Sequence, residues 1–142
     1  MLWDVNDDDL QRCFDILKKK LAKNADGLTW LTYRGHEAAF RLAFKLGRQQ
    51  VEELLDIGVD VNHRNVHVNG GRTVLYTACE QGLVDIAELL LSRGARTKFG
   101  VIRLLGRNIQ WTPMFIAARN GHHQCVKFLL DHGVGVNDRM TD

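Results

Sequence analysis

Three copies of one spacing constrain this chain more than anything in its composition. Gly58, Gly94 and Gly133 each follow a leucine pair by three and four residues: Leu54-Leu55, Leu90-Leu91 and Leu129-Leu130. Eleven or twelve residues before each of these glycines stands another, Gly47, Gly82 and Gly121, and four before that an alanine, Ala43, Ala78 and Ala117. A register of 35–39 residues that holds three times marks a repeated supersecondary unit, in which each copy packs on its neighbours.

Each unit reads as a helix, a turn at the first glycine, a second helix carrying the Leu-Leu step, and a glycine just past its end. Glycine suits that last position because a helix commonly stops on a residue of positive φ, where a Cβ would clash. The alanines let the paired helix approach closely. Val51, Ile86 and Val126 extend the buried face of the second helices. Helix starts are marked too. Thr112 is a capping hydroxyl before Pro113, the only proline, at a first helical position where its missing N–H costs nothing; Thr73-Val74 holds the same place 39 residues earlier. The first unit has Ala38-Ala39 there, a weaker entry. A single hairpin of this kind cannot bury its own apolar side, whereas stacked hairpins can.

Thr112-Pro113-Met114-Phe115-Ile116-Ala117-Ala118, followed by Gly121-His122, Leu129-Leu130, Gly133 and Val136-Asn137, resembles an ankyrin repeat. Arg72 to Cys79, with Gly82 and Leu90-Leu91-Ser92-Arg93-Gly94-Ala95, resembles the same unit, and Phe40 to Val61-Asn62 is a degenerate third copy. The resemblance covers residues 36–137 and implies an all-α, ankyrin-type helix-turn-helix solenoid with hairpin or loop fingers. The family motif normally has His where Tyr76 and Phe115 stand, so aromatic packing is expected to replace hydrogen-bonded ties between loops. Thr97–Gln110 carries an insertion of about six residues relative to the repeat.

Upstream, Leu10, Phe14, Leu17 and Leu21 line one face of a helix that opens on Asn6-Asp7-Asp8-Asp9 and closes on Lys18-Lys19-Lys20 and Lys23, a charge order that complements the helix dipole. Residues 1–35 are expected to be a capping helix with an ordered connection over Gly27–Gly35, and 36–142 a repeat array divided near 36–69, 70–108 and 109–142. Asn137 to Asp142 reads as the opening of a further finger, the mark of an array truncated at this end.

Composition is ordinary for a globular chain, and no apolar run approaches the ~18–20 residues of a membrane span. Three cysteines, Cys13, Cys79 and Cys125, stand far apart with no CxxC pair, which points to reduced thiols and a cytoplasmic setting, with the nucleus as the other reducing compartment. Neither His63 and His67 nor His122, His123 and Cys125 has convincing metal-ligand spacing, and His122 falls at a family position for a turn and inter-repeat hydrogen bond. Cys79 and Cys125 read as buried small hydrophobes. Nothing composes a catalytic constellation or a phosphate loop, so no enzyme activity, cofactor or metal is expected.

Charge is less even than a net +2 implies. From Leu89 to Leu130 there is no acid, while seven Arg and Lys side chains gather there. The resemblance implies partners held by finger loops and by the ridge of first helices. That selects Asn69, Arg72, Glu80 and Gln81 in the second unit and Ile109, Trp111, Arg119 and Asn120 in the third. Trp111 precedes the capping Thr112 and is expected at a finger tip; packing onto Phe99, Ile102 or Leu105 is its alternative. Arg103 and Arg107, in the mixed basic and apolar insertion, are candidates for receiving an acidic segment; an elongated, self-packed finger is the alternative. The expected function is a non-enzymatic protein-interaction module, an adaptor or regulatory part of a larger protein. Polyanion or nucleic-acid binding by residues 89–130, and service as an accessory domain of a larger enzyme, are the competing classes. Asn62 and Asn137 resemble positions where ankyrin proteins are hydroxylated.

Overall fold

The computed structural model describes residues 6–23, 30–63, 72–97 and 112–135. Among them are seven helices and no strand, and none of the helices is long and apolar enough to cross a membrane. They fall into two compact units, residues 1–60 and 61–142.

The first unit holds α1 (Asp7–Lys23), α2 (Trp30–Leu46) and α3 (Arg48–Asp56). α1 starts where its acidic opening placed it, and the structure adds a cap: the Asn6 side-chain oxygen accepts from the Asp9 amide at 2.8 Å, with Asp7, Asp8 and Asp9 in the first turn. Its apolar face buries Phe14 and Leu21, and α2 packs against it. Lys18 reaches Glu53 of α3 at 3.1 Å, and Gln50 donates to Gln11 at 3.2 Å. Both contacts are partly solvated, so they orient α1 more than they stabilise it. Ala39, Phe40, Ala43, Val51 and Leu54 form the core beneath. The connection expected over 27–35 is instead helical from Trp30 onward, so the 35/36 boundary falls inside α2. Gly35 was read as the end of that connection, but one glycine within a helix costs only about 1 kcal/mol relative to alanine, which the rest of a 17-residue helix offsets.

The second unit is two stacked hairpins, α4 (Val74–Gln81) with α5 (Val84–Ser92), and α6 (Pro113–Arg119) with α7 (His123–Asp131). First helix packs on first helix and second on second, α4 against α6 and α5 against α7. That is the solenoid arrangement in which each hairpin covers the apolar side of the one before. Both expected caps form: Thr73 Oγ1 accepts from the Tyr76 amide at 3.2 Å, and Thr112 Oγ1 from the Phe115 amide at 3.3 Å. Ala78 and Ala117 are wholly buried, as close approach requires.

The helices with Leu-Leu steps end alike. Gly58, Gly94 and Gly133 have φ of 97°, 90° and 84°, and the next residue's amide turns back to the first leucine carbonyl: Val59 to Leu54, Ala95 to Leu90, Val134 to Leu129. This closure leaves the carbonyl of each leucine satisfied. Leu54, Leu90 and Leu129 are fully buried, whereas Leu130 is 43% exposed. Of the two residues of α7 expected to be buried before its leucine pair, the structure buries Cys125, in register with Ile86, and leaves Val126 half-buried. Within the second unit the Asn62 side chain holds the turn that follows α5, donating to the Gly94 carbonyl at 3.0 Å and accepting from the Arg96 amide at 2.8 Å. Most of the loop expected over Asn62–Gly71 and of the insertion within Thr97–Gln110 lies outside the described residues, as does Asn137.

Candidate partner-binding surface

The junction between the two hairpins of the second unit gathers three of the residues selected from the sequence. Arg72 lies just before the Thr73 cap and Glu80 in the last turn of α4, so one helix length brings the guanidinium back over the carboxylate. Arg72 Nη1 stands 3.3 Å from Glu80 Oε1 and 3.4 Å from Oε2. The same guanidinium lies 5.5 Å from the centre of the Tyr76 ring. From the next hairpin, Asn120 donates its side-chain amide to the Glu80 carbonyl at 3.0 Å. His122 Nε2 meets that carbonyl at 2.9 Å. A carbonyl only accepts, so Nε2 carries the proton in this contact.

Glu80 thus serves twice, its carboxylate within its own repeat and its carbonyl across to the next. The sequence selected Arg72 and Glu80 as separate contact residues; the structure pairs them with each other, because the side chain of the residue before the N-cap folds back along the helix. Asn120 and His122 follow α6 directly, in the turn of which Gly121 is the centre, and this puts two donors on one acceptor. Gln81 and Arg119 are exposed at the edge of this network. Asn69, Arg103, Arg107, Ile109 and Trp111 lie outside the described residues. The neighbours of the selected residues that sequence reasoning passed over for this surface are Tyr76, treated as a packing residue, and Asn62, weighed only as a modification site. Gly94 stands at the repeated glycine position that Asn62 reaches, a signal the spacing already contained.

Tyr76 is where His normally ties loops together. Its ring is fully buried, yet its phenol oxygen has no hydrogen-bond partner. Burial pushes the phenol up to about 12, against the opposing pull of Arg72. Aromatic packing therefore takes the place of the hydrogen-bonded tie at this position, and the tie itself passes to Asn120 and His122. Tyr76→Phe is expected to leave stability unchanged or raise it by up to about 1 kcal/mol in denaturant unfolding, since an unsatisfied buried hydroxyl is removed; a loss of about 1–3 kcal/mol would show that the hydroxyl makes a bond. Phe115, at the equivalent place in α6, is 45% exposed.

Of the residues weighed as metal ligands, the structure describes His63, His122, His123 and Cys125. His122 is engaged with Glu80, Cys125 faces the interior, and His67 lies outside the described residues.

Comparison with known proteins agrees with this architecture. The chain matches the family described as Ankyrin repeats (3 copies) over residues 9–100 and again over 98–142. It is similar to Ankyrin repeat-containing protein ITN1 of Arabidopsis thaliana, 29% identical over 130 residues that make up 81% of this chain and 21% of that protein. It is 41% identical over 61 residues to the glycerophosphocholine phosphodiesterase GDE1 of Eremothecium gossypii, covering 43% of this chain and 4% of that protein. An ankyrin repeat and KH domain-containing protein of Caenorhabditis briggsae is 34% identical over 97 residues, 68% of this chain and 3% of that protein. The chain therefore spans a small part of the length of each of these relatives. With repeat spacing, stacked hairpins and family match in agreement, this chain belongs to the ankyrin repeat family.

Proposed function

We propose that the chain is a non-enzymatic protein-interaction module, acting in the cytoplasm or nucleus as an adaptor or regulatory part of a larger protein. Ankyrin repeats generally mediate protein–protein interaction, and one observation supports that reading here. The Arg72–Glu80–Asn120–His122 network holds a polar ridge across two repeats in one geometry before any partner arrives, with Gln81 and Arg119 exposed beside it. Preorganisation of this kind lowers the ordering cost of association. The basic insertion that carries Arg103 and Arg107, and Trp111 after it, would add charge steering and an aromatic anchor, which favours a partner with an acidic segment.

The combined variant Arg103→Ala, Arg107→Ala and Trp111→Ala is expected to lose most partner capture from cell extract while its melting temperature stays within a few degrees of the parent. Unchanged capture would rule these residues out as the contact surface. Capture that collapses between low and moderate salt and yields nucleic acid rather than protein would instead support polyanion binding by residues 89–130.

A second reading has an observation of its own. The 61 residues similar to GDE1, an enzyme by its name, support service as an accessory segment within a larger enzyme. Measuring the turnover of such a parent enzyme with and without this segment separates that role from an adaptor's.

A further inference from the structure

The last hairpin shows an apolar face that the hairpin before it keeps covered. Equivalent places in the two hairpins of the second unit are 39 residues apart, so Ala118 stands where Cys79 stands and Val126 where Ala87 stands. Cys79 and Ala87 are wholly buried, in a hairpin whose helices pack against α6 and α7. Ala118 is exposed, Val126 half-buried and Leu130 43% exposed. With His123, Lys127 and Asp131 these three line an open groove of about 350 Å³. On α7 its lining recurs at i, i+3, i+4, i+7 and i+8, a second stripe beside the buried one of Cys125 and Leu129.

The charges on this stripe select an occupant. Lys127 and Asp131 are both exposed and one helical turn apart, and neither enters an ion pair among the described residues. Opposite charges at that spacing match themselves reversed: α7 laid antiparallel on its own copy about a two-fold axis sets Lys127 of each chain against Asp131 of the other. The same rotation lays the Val126 and Leu130 strip of each chain on that of its copy. Two like charges in those places would instead drive the copies apart.

We propose that this face is a homodimer site, closed by a second copy of the chain docking α7 against α7. The apolar strip gives the grip, and the paired charges fix direction and register. One hairpin face is smaller than a standard interface, so association is weak, with Kd expected at about 10–300 μM. Well below that range the copies are apart and Leu130 is solvated, so unfolding measured on dilute protein reads the single chain. Lys127, Leu130 and Asp131 take no part in the ridge of Arg72, Glu80 and Asn120, and the dimer stands whether or not that ridge binds a partner.

The test needs only the whole chain, kept in reductant so that the exposed Cys13 stays a thiol. Sedimentation equilibrium from about 5 μM to about 1 mM, a span that brackets the expected constant, should show a monomer passing to a dimer and no larger species. Lys127→Asp alone and Asp131→Lys alone should each weaken the dimer about tenfold or more, with circular dichroism and the melting temperature of dilute protein unchanged. Mixed in equal amounts, the two variants should pair at about the parent's strength, because every introduced charge then faces its opposite. The double variant Lys127→Asp with Asp131→Lys should also pair with itself as the parent does. A chain still monomeric at the top of the range overturns the proposal and leaves the groove to a further hairpin of a longer chain or to another protein. Association that ignores the single variants, or that mixing them does not restore, overturns it as well, since the copies then meet elsewhere.

Discussion

Leu90→Ala is expected to lower the free energy of unfolding by about 2–5 kcal/mol, read from the denaturant midpoint at unchanged slope. Leu90 is fully buried on α5, the helix that packs against α7, and its carbonyl closes the helix by accepting from Ala95 at 3.0 Å. Removing the side chain costs the transfer of its methyl and methylene groups and leaves a void between two hairpins that share one core. How far those hairpins collapse into the void sets where in the range the value falls. Leu130→Ala is the internal control. It stands at the second leucine of its pair, is 43% exposed, and should cost about 1 kcal/mol or less because most of its surface is already solvated. Equal losses at the two positions would mean that the buried leucine of each pair has been misplaced.

Gly82→Ala is expected to cost about 2–4 kcal/mol, although it adds a single methyl group. Gly82 has φ of 75°, a conformation that costs an alanine about 1–2 kcal/mol. A Cβ there would also stand 2.6 Å from Nδ1 and 2.9 Å from Cγ of the His122 ring. That ring is pinned through Nε2 to the Glu80 carbonyl, so it cannot swing aside without giving up the tie between repeats. Gly121→Ala separates the two contributions. It has the same φ of 75° with no atom within 4 Å of the added carbon, and should show the conformational cost alone. His122→Ala combined with Gly82→Ala should recover part of the loss, a coupling measurable as a double-mutant cycle; strict additivity would show that the two residues do not meet.

Much of the fold was legible because its signals are local. The Thr73 and Thr112 caps, the positive-φ glycines after the Leu-Leu helices, and the acidic opening of α1 each depend on a few neighbouring residues, and each formed as the spacing implied. The partner-binding surface was legible only in outline. Arg72, Glu80 and Asn120 were selected as separate contact residues, and the structure shows the three linked to one another. The start of α2 was misplaced because weak helix formers in 30–35 are overridden once the residues that follow them are helical. Val126 and Cys125 were both read as buried, and the structure buries Cys125 while Val126 is only half-buried, because adjacent helix positions point about 100° apart and α7 turns only one of them fully inward.

By itself, then, the amino-acid order determined where each hairpin begins, turns and stops, since capping, glycine turns and apolar periodicity act within one or two helical turns. Tertiary structure decided which distant atoms meet within the second unit: Asn120 and His122 with the Glu80 carbonyl, and Asn62 with the Gly94 turn. Those pairs join residues some 30–50 positions apart at unlike places in the repeat. No short-range preference selects them, because their distances are set by how closely two apolar faces, lined with alanine and leucine, come together.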